Sequence, residues 1–219
     1  MIARNADDWA AAAVVSMLIE PMEGMRIGVT YRSKTELSLE GDVQGTPAPG
    51  DINFTGDMDL AQGINVSVFH QLTDAVALFG DVGWSDWSQF SDQAWSFDGA
   101  IIGIAIPVDR GWKDTWRIAV GAEYQIVDHL TLQGGFSYDS DPIDGNKRYP
   151  DIPVGEGYRF SIGQRFQAAD NIELFASYTG LWSGNPNVNN VTLPDGTVLN
   201  GNYDPSWIHF ATAGLSINF

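Results

Sequence analysis

The sequence predicts an all-β protein, an antiparallel β-barrel that crosses a membrane on about nine strands. Three observations carry this. Apolar and polar residues alternate with period two through segment after segment, the signature of a strand with two unlike faces. The connections between these segments are alternately short and long, as in barrels with tight turns at one rim and long loops at the other. Aromatic residues gather toward strand ends on the apolar parity, where an amphipathic ring is stable at a lipid headgroup interface.

The first segment, 9–19, is apolar but barely alternates. The second, 25–40, sets Met25, Ile27, Val29, Tyr31, Leu37 and Leu39 on one parity and Arg26, Thr30, Arg32, Lys34, Glu36, Ser38 and Glu40 on the other. It exceeds the roughly 9–11 tilted residues that span a bilayer. Weaker alternation covers 64–72 and 76–87. From 113 onward Trp116, Ile118, Val120, Ala122, Tyr124 and Ile126 oppose Lys113, Thr115, Arg117, Gly121, Glu123 and Gln125. Three more segments follow. Leu130, Leu132, Phe136 and Tyr138 form the apolar face of one, Tyr158, Phe160, Ile162 and Phe166 of the next, and Ile172, Leu174, Ala176, Tyr178 and Trp182 of the third. The last strand places Leu215, Ile217 and Phe219 on one face and ends there. The long connections are 42–63, 88–112, 140–157 and 183–205, expected as extracellular loops of a single barrel domain over 1–219.

Composition narrows the function. The 219 residues carry 11 Lys and Arg against 28 Asp and Glu, a net charge of −17. A phosphate-binding face needs clustered cations, so nucleic acid is excluded as a partner. Acidic loops on a solvated rim explain the charge, and a divalent-cation contact with lipopolysaccharide is the sharper reading. There is no cysteine, hence no disulfide, thiolate nucleophile or cysteine-bound zinc. No apolar run reaches 18 residues, so no transmembrane helix is expected. Asp7 and Asp8 precede the apolar run 9–19, where a signal peptide has a basic region. A membrane barrel needs such a signal, so the natural N-terminus is expected upstream.

Four segments, in order, carry a family resemblance. The first is Arg26-Ile27-Gly28-Val29-Thr30-Tyr31-Arg32-Ser33-Lys34. The second is Gly83-Trp84-Ser85-Asp86-Trp87-Ser88-Gln89-Phe90. The third is Trp112-Lys113-Asp114-Thr115-Trp116-Arg117-Ile118-Ala119-Val120-Gly121. The fourth runs from Tyr138-Asp139 to Pro142, then Arg148, Pro150, Ile152 and Pro153. Together they resemble the FadL-type outer-membrane transporters of long-chain fatty acids, which include channels for aromatic hydrocarbons. The resemblance implies a bacterial outer-membrane channel for passive uptake of hydrophobic compounds, long-chain fatty acids first. It implies a 14-stranded barrel with an N-terminal plug, of which this chain holds the C-terminal portion. It also implies outer-membrane lipid and lipopolysaccharide as surroundings, and assembly by the barrel-assembly machinery through Phe219.

The polar parity is basic for so acidic a chain, with Arg26, Arg32, Lys34, Lys113, Arg117, Arg159 and Arg165. A carboxylate crossing an apolar tunnel needs a cation to offset its desolvation. Lys113 opens the family-like motif, and the resemblance implies a headgroup contact there. Lys113 and Arg117 are therefore candidate ligand-binding residues, with internal ion pairing as the alternative. The run Ile101-Ile102-Gly103-Ile104-Ala105-Ile106 is a candidate greasy groove, or a hairpin packed on its neighbour, and Ile101, Ile102 and Ile104 are its candidate contacts. No enzyme is expected: no G-x-S-x-G elbow occurs, His129 lies in a turn, and His70 and His209 fall on the apolar parity. Asp139-Ser140-Asp141-Pro142-Ile143-Asp144 looks like a calcium loop but puts Ile143 at a ligand position, so no metal or other cofactor is expected. The alternatives to fatty-acid uptake are an aromatic-hydrocarbon channel, a general porin or structural barrel, and an outer-membrane lipid hydrolase.

Overall fold

The computed structural model describes residues 2–44, 52–90, 92–99, 102–109, 111–150, 153–192 and 196–218. Ile101 and Phe219 lie outside them. The described chain is almost entirely strand: β1 Ile2–Asp7, β2 Val14–Met22, β3 Met25–Arg32, β4 Thr35–Gln44, β5 Ile52–Leu60, β6 Gly63–Thr73, β7 Val76–Ser85, β8 Asp92–Gly99, β9 Ile102–Asp109, β10 Thr115–Val127, β11 Leu130–Asp139, β12 Gly157–Ala169, β13 Ile172–Ser183, β14 Asn187–Thr192, β15 Val198–Asn202 and β16 Ser206–Ile217. A 3-10 turn at Trp87–Phe90 is the one helical element among the described residues. No helix there is long and apolar enough to cross a membrane.

Nine strands form one antiparallel sheet in the order β16-β13-β12-β11-β10-β7-β6-β3-β2. The expected alternation sets its two faces. Ile118, Val120, Phe160, Ile162 and Leu174 are all exposed on the outer face, Ile162 by 67%. A water-soluble sandwich would bury such a row, whereas lipid solvates it. The strands are 8 to 13 residues long, enough to span a bilayer when tilted. Two-residue turns join them at one rim: Glu23-Gly24, Asp74-Ala75, Asp128-His129 and Asp170-Asn171. Gly24 has φ +75°, a left-handed conformation that only glycine adopts without strain.

The sheet is open. β2 and β16 are its outer strands, they share no ladder among the described residues, and both are exposed along nearly their whole length. Both run from the long-connection rim to the short-turn rim, so joining them directly would make a parallel seam in an otherwise antiparallel wall. The nine-stranded sheet is thus part of a barrel.

The first strand differs from its expectation. β2 spans Val14–Met22, not 9–19, and Trp9 is 94% exposed outside any strand. The run Trp9–Ala13 is apolar without period, so it has no face to commit to a sheet. The expected strand 25–40 is also divided, into β3 and β4. The division is shallow: Arg32 faces Gly63 and Thr35 faces Leu60, so the register carries across two interrupted residues on each arm.

The long connections 42–63 and 88–112 hold strands. β1, β4, β5, β8 and β9 form a second sheet in that order. Each is the chain continuation of β2, β3, β6, β7 and β10, which stand in the same order in the large sheet. Five wall strands therefore extend beyond an interrupted level. The β7–β8 arm is most irregular there, because it inserts the 3-10 turn. Lys34, at the interruption, binds Asp59 at 2.7 Å and Glu36 at 3.0 Å, and these hydrogen bonds raise its pKa above 10.5.

Candidate functional site

At the long-connection rim, aromatic side chains line up across neighbouring strands on the outer face. Tyr138, Tyr158, Trp182 and Trp207 stand directly opposite one another in sequence of strands, with ring centroids 5.1 Å apart for Tyr138–Tyr158 and 5.3 Å for Tyr158–Trp182. Trp84 and Trp116 are paired likewise, and the Trp84 indole N–H donates to Asp114 at 3.0 Å. Such a row is an interfacial girdle made of cross-strand pairs.

The inner face at that rim bounds an open cavity of about 850 Å³. Trp87, Trp112, Pro142, Val154, Leu181 and Ile208 give it apolar walls, and Arg32, Arg117, Arg159, Asp139 and Glu156 line it as well. Trp87, Phe90 and Trp112 form one cluster, with centroids 5.2 to 5.8 Å apart. The Trp112 indole N–H is enclosed without an acceptor among the described residues. Beneath the cluster, Asp86 is 7% exposed. Burial would raise its pKa, but hydrogen bonds from Ser88 at 2.5 Å and Gln62 at 3.0 Å help the other acceptor contacts outweigh it and hold the carboxyl below 3.8.

Sheet register explains the charges. Arg117 is the direct cross-strand partner of Asp139 and donates to it from Nε at 2.8 Å. Arg159, opposite Ser137, reaches the other oxygen of Asp139 diagonally. Two guanidinium groups thus share one carboxylate. The five charged residues that line the cavity sum to one positive charge. Nearer the short-turn rim, Glu123 takes Arg165 at 2.9 Å and Gln133 at 2.5 Å, and Asp81 takes Asn65 and Ser67 at 2.6 Å each.

Of the sequence candidates, Arg117 lines this cavity. Lys113 lies outside strand β10, with its ammonium on Asp144 and its backbone N–H on Pro142 at 2.8 Å. Ile102 and Ile104 lie on β9, their backbone opposite Gly99 and Phe97 of β8, while Ile101 falls outside the described residues. The calcium-like run is otherwise engaged: Asp139 holds two arginines and Asp141 a third, Arg148. No group of metal-ligating side chains occurs among the described residues. Sequence reasoning missed Phe69, Phe79, Phe175 and Phe210, whose register puts them on the inner face beside the polar residues. Phe69 and Phe79 pack at 5.4 Å, and Arg26 lies 5.7 Å above Phe69. The weak alternation of 64–72 and 76–87 was their trace.

The Lys113–Asp144 pair yields a pH prediction. The Lys113 hydrogen bond, then its charge, holds Asp144 below 3.8 despite some burial. A depressed carboxylate contributes while ionised and stops as the pH falls through its folded value. The Lys113 amide should keep its hydrogen-exchange protection from pH 7 to 5 and lose it below 3.8. Loss already at pH 6 would refute the pairing. Both partners are about half exposed, so global stability should barely move.

Residues 1–216 match the family described as outer membrane protein transport protein (OMPP1/FadL/TodX). A long-chain fatty acid transport protein of Escherichia coli is 26% identical over 192 residues, which cover 78% of this chain and 42% of that protein. Outer membrane protein P1 of Haemophilus influenzae is 26% identical over 223 residues, covering 96% and 47%. The chain thus spans less than half the length of these relatives. A Pseudomonas aeruginosa FadL homologue superposes with TM-score 0.76 at 21% identity, over 93% of this chain and 51% of that one. The Pseudomonas putida toluene transporter TodX gives 0.62 at 17%, over 96% and 50%. The chain belongs to the OMPP1/FadL/TodX family of outer-membrane transport proteins, and its nine-stranded sheet is a wall of such a barrel in the outer membrane.

Proposed function

We propose that this chain forms the C-terminal wall of a channel for passive uptake of long-chain fatty acids, with the long-connection rim outside the cell. The carrying observation is the cavity at that rim. It combines apolar walls with a net positive charge held by Arg117, Arg159 and Asp139. An acyl chain is solvated by Trp87, Trp112, Leu181 and Ile208, and its carboxylate is matched by the uncompensated guanidinium charge. Lys113 acts at one remove, holding the chain around 142–144 through Pro142 and Asp144. β9, with Ile102 and Ile104, forms part of the approach. Lipopolysaccharide surrounds the outer rim.

The test is oleate uptake by the whole protein in an outer-membrane host lacking its own fatty-acid channel. Arg117→Ala should raise the half-saturating oleate concentration by about tenfold, the effect of losing one charge-assisted hydrogen bond. Lys113→Ala should change it little. An Arg117→Ala protein with unaltered oleate uptake would sink the headgroup assignment. The three-ring Trp87–Phe90–Trp112 cluster favours a second reading, uptake of aromatic hydrocarbons. An uncharged ring needs no cation, so toluene uptake insensitive to Arg117→Ala, without oleate uptake, would select that reading.

A further inference from the structure

One arginine stands apart from the wall. Arg148, in the segment between β11 and β12, is 0% exposed. Its Nε donates to Val154 O at 3.1 Å. Nη1 donates to Asn187 O at 2.7 Å and approaches Asn187 Oδ1 at 3.4 Å. Nη2 donates to Ile143 O at 2.6 Å and meets both oxygens of Asp141 at 2.6 Å. The donors of the planar fork thus find acceptors on three separate stretches of chain, which a lysine ammonium cannot reproduce.

Those stretches surround the mouth. Pro142, Pro153, Val154, Gly155 and Glu156 line the 850 Å³ cavity. The segment is held on one side to the start of β10, by the Trp112–Ile143 bridge and the Lys113–Pro142 hydrogen bond. On the other side it meets β14, where Asn189 N–H donates to Gly145 O at 2.7 Å, and the link from β13 to β14, where Gly184 N–H donates to Glu156 O at 3.0 Å. A Cβ at Gly145 would come within 2.5 Å of Asn187 Oδ1, so a larger residue there would have to displace the Asn187 side chain that faces Arg148.

We infer that Arg148 is the positioning residue of the mouth. It fixes 140–150 and 153–156 as a stationary outer wall of the cavity, so the wall keeps small polar solutes out and does not lift when a hydrophobic substrate passes. This rests on the uptake reading for its substrate, but not for the wall itself.

The experiment uses the absence of any native thiol in these 219 residues. Ile143 is 3% exposed, so a cysteine there reports lifting of the segment. In the whole protein in outer-membrane vesicles, Ile143→Cys should react slowly with a water-soluble maleimide, and oleate should not accelerate it. Adding Arg148→Lys should raise the rate at least about tenfold, because a single ammonium cannot keep the fork's separate hydrogen bonds to Val154, Asn187 and Ile143. The same Arg148→Lys change should let a small sugar leak through, and should raise the half-saturating oleate concentration more than it lowers the maximal rate. Equal labelling rates, or faster labelling without sugar leakage, would overturn the proposal, as would oleate-accelerated labelling with Arg148 intact. If the Arg148→Lys protein fails to assemble, the oleate arm with Arg148 intact still decides. If no variant takes up oleate, the function reading falls while labelling and leakage still test the wall.

Discussion

Ile162→Arg should destabilise the barrel by about 2–4 kcal/mol, the measured range for a cation facing lipid near the bilayer midplane. Ile162 lies at the middle of β12, between Gly134 and Tyr178, and is 67% exposed on the outer face. In water such exposure would make the change nearly neutral, within about 0.5 kcal/mol. In hydrocarbon the guanidinium finds no solvent and no partner. Ser161→Arg, one residue earlier and on the inner face, is the control. It adds a charge to a polar surface that already holds Arg159 and Arg165 on the same strand. Denaturant titration of the whole protein folded into lipid vesicles separates the two. Equal tolerance at both positions would remove the lipid from the outer face and with it the membrane reading of the wall.

That contrast rests on parity, which the sequence displays openly. Alternation follows from strand geometry alone, so nine strands and the exposure of Ile118, Val120, Phe160 and Leu174 could be read before any pairing was known. The extension sheet could not. Its strands β5, β8 and β9 lie in segments rich in Gly, Asp and Pro, and their pairing is imposed by β6, β7 and β10, which deliver them side by side. Register beyond the membrane is tertiary information. The site divides in the same way. Arg117 was legible because its parity and its partner Asp139 both lie on regular strands. Arg148 was not, because an arginine in a polar connection ordinarily projects into water. Its burial depends on backbone carbonyls of Ile143 and Val154, nearby but without side-chain signature, and of Asn187, 39 residues away. The inner-face rings Phe69 and Phe79 appeared only as noise in the alternation. They interrupt the polar parity of the inner face with an aromatic pair at 5.4 Å.

Asp141→Ala should have the second large effect, and it should be local. It leaves the fully buried Arg148 guanidinium without its counter-charge, a change that typically costs about 3–5 kcal/mol. A surface segment escapes such a cost by detaching, so the loss cannot exceed the free energy that holds 140–150 in place. The transmembrane sheet should therefore keep its unfolding midpoint. The Asn189 amide, bound to Gly145 O at 2.7 Å, should lose roughly two to three powers of ten in hydrogen-exchange protection. Asp141→Asn keeps an acceptor of the same shape and should fall between. The pair of changes Asp141→Ala with Arg148→Met should recover much of the protection, because removing both charges abolishes the desolvation that the single change exposes. If the double variant is no better protected than Asp141→Ala, the segment is held by its backbone contacts to Pro142, Gly145 and Glu156, and the buried ion pair contributes nothing that those contacts do not.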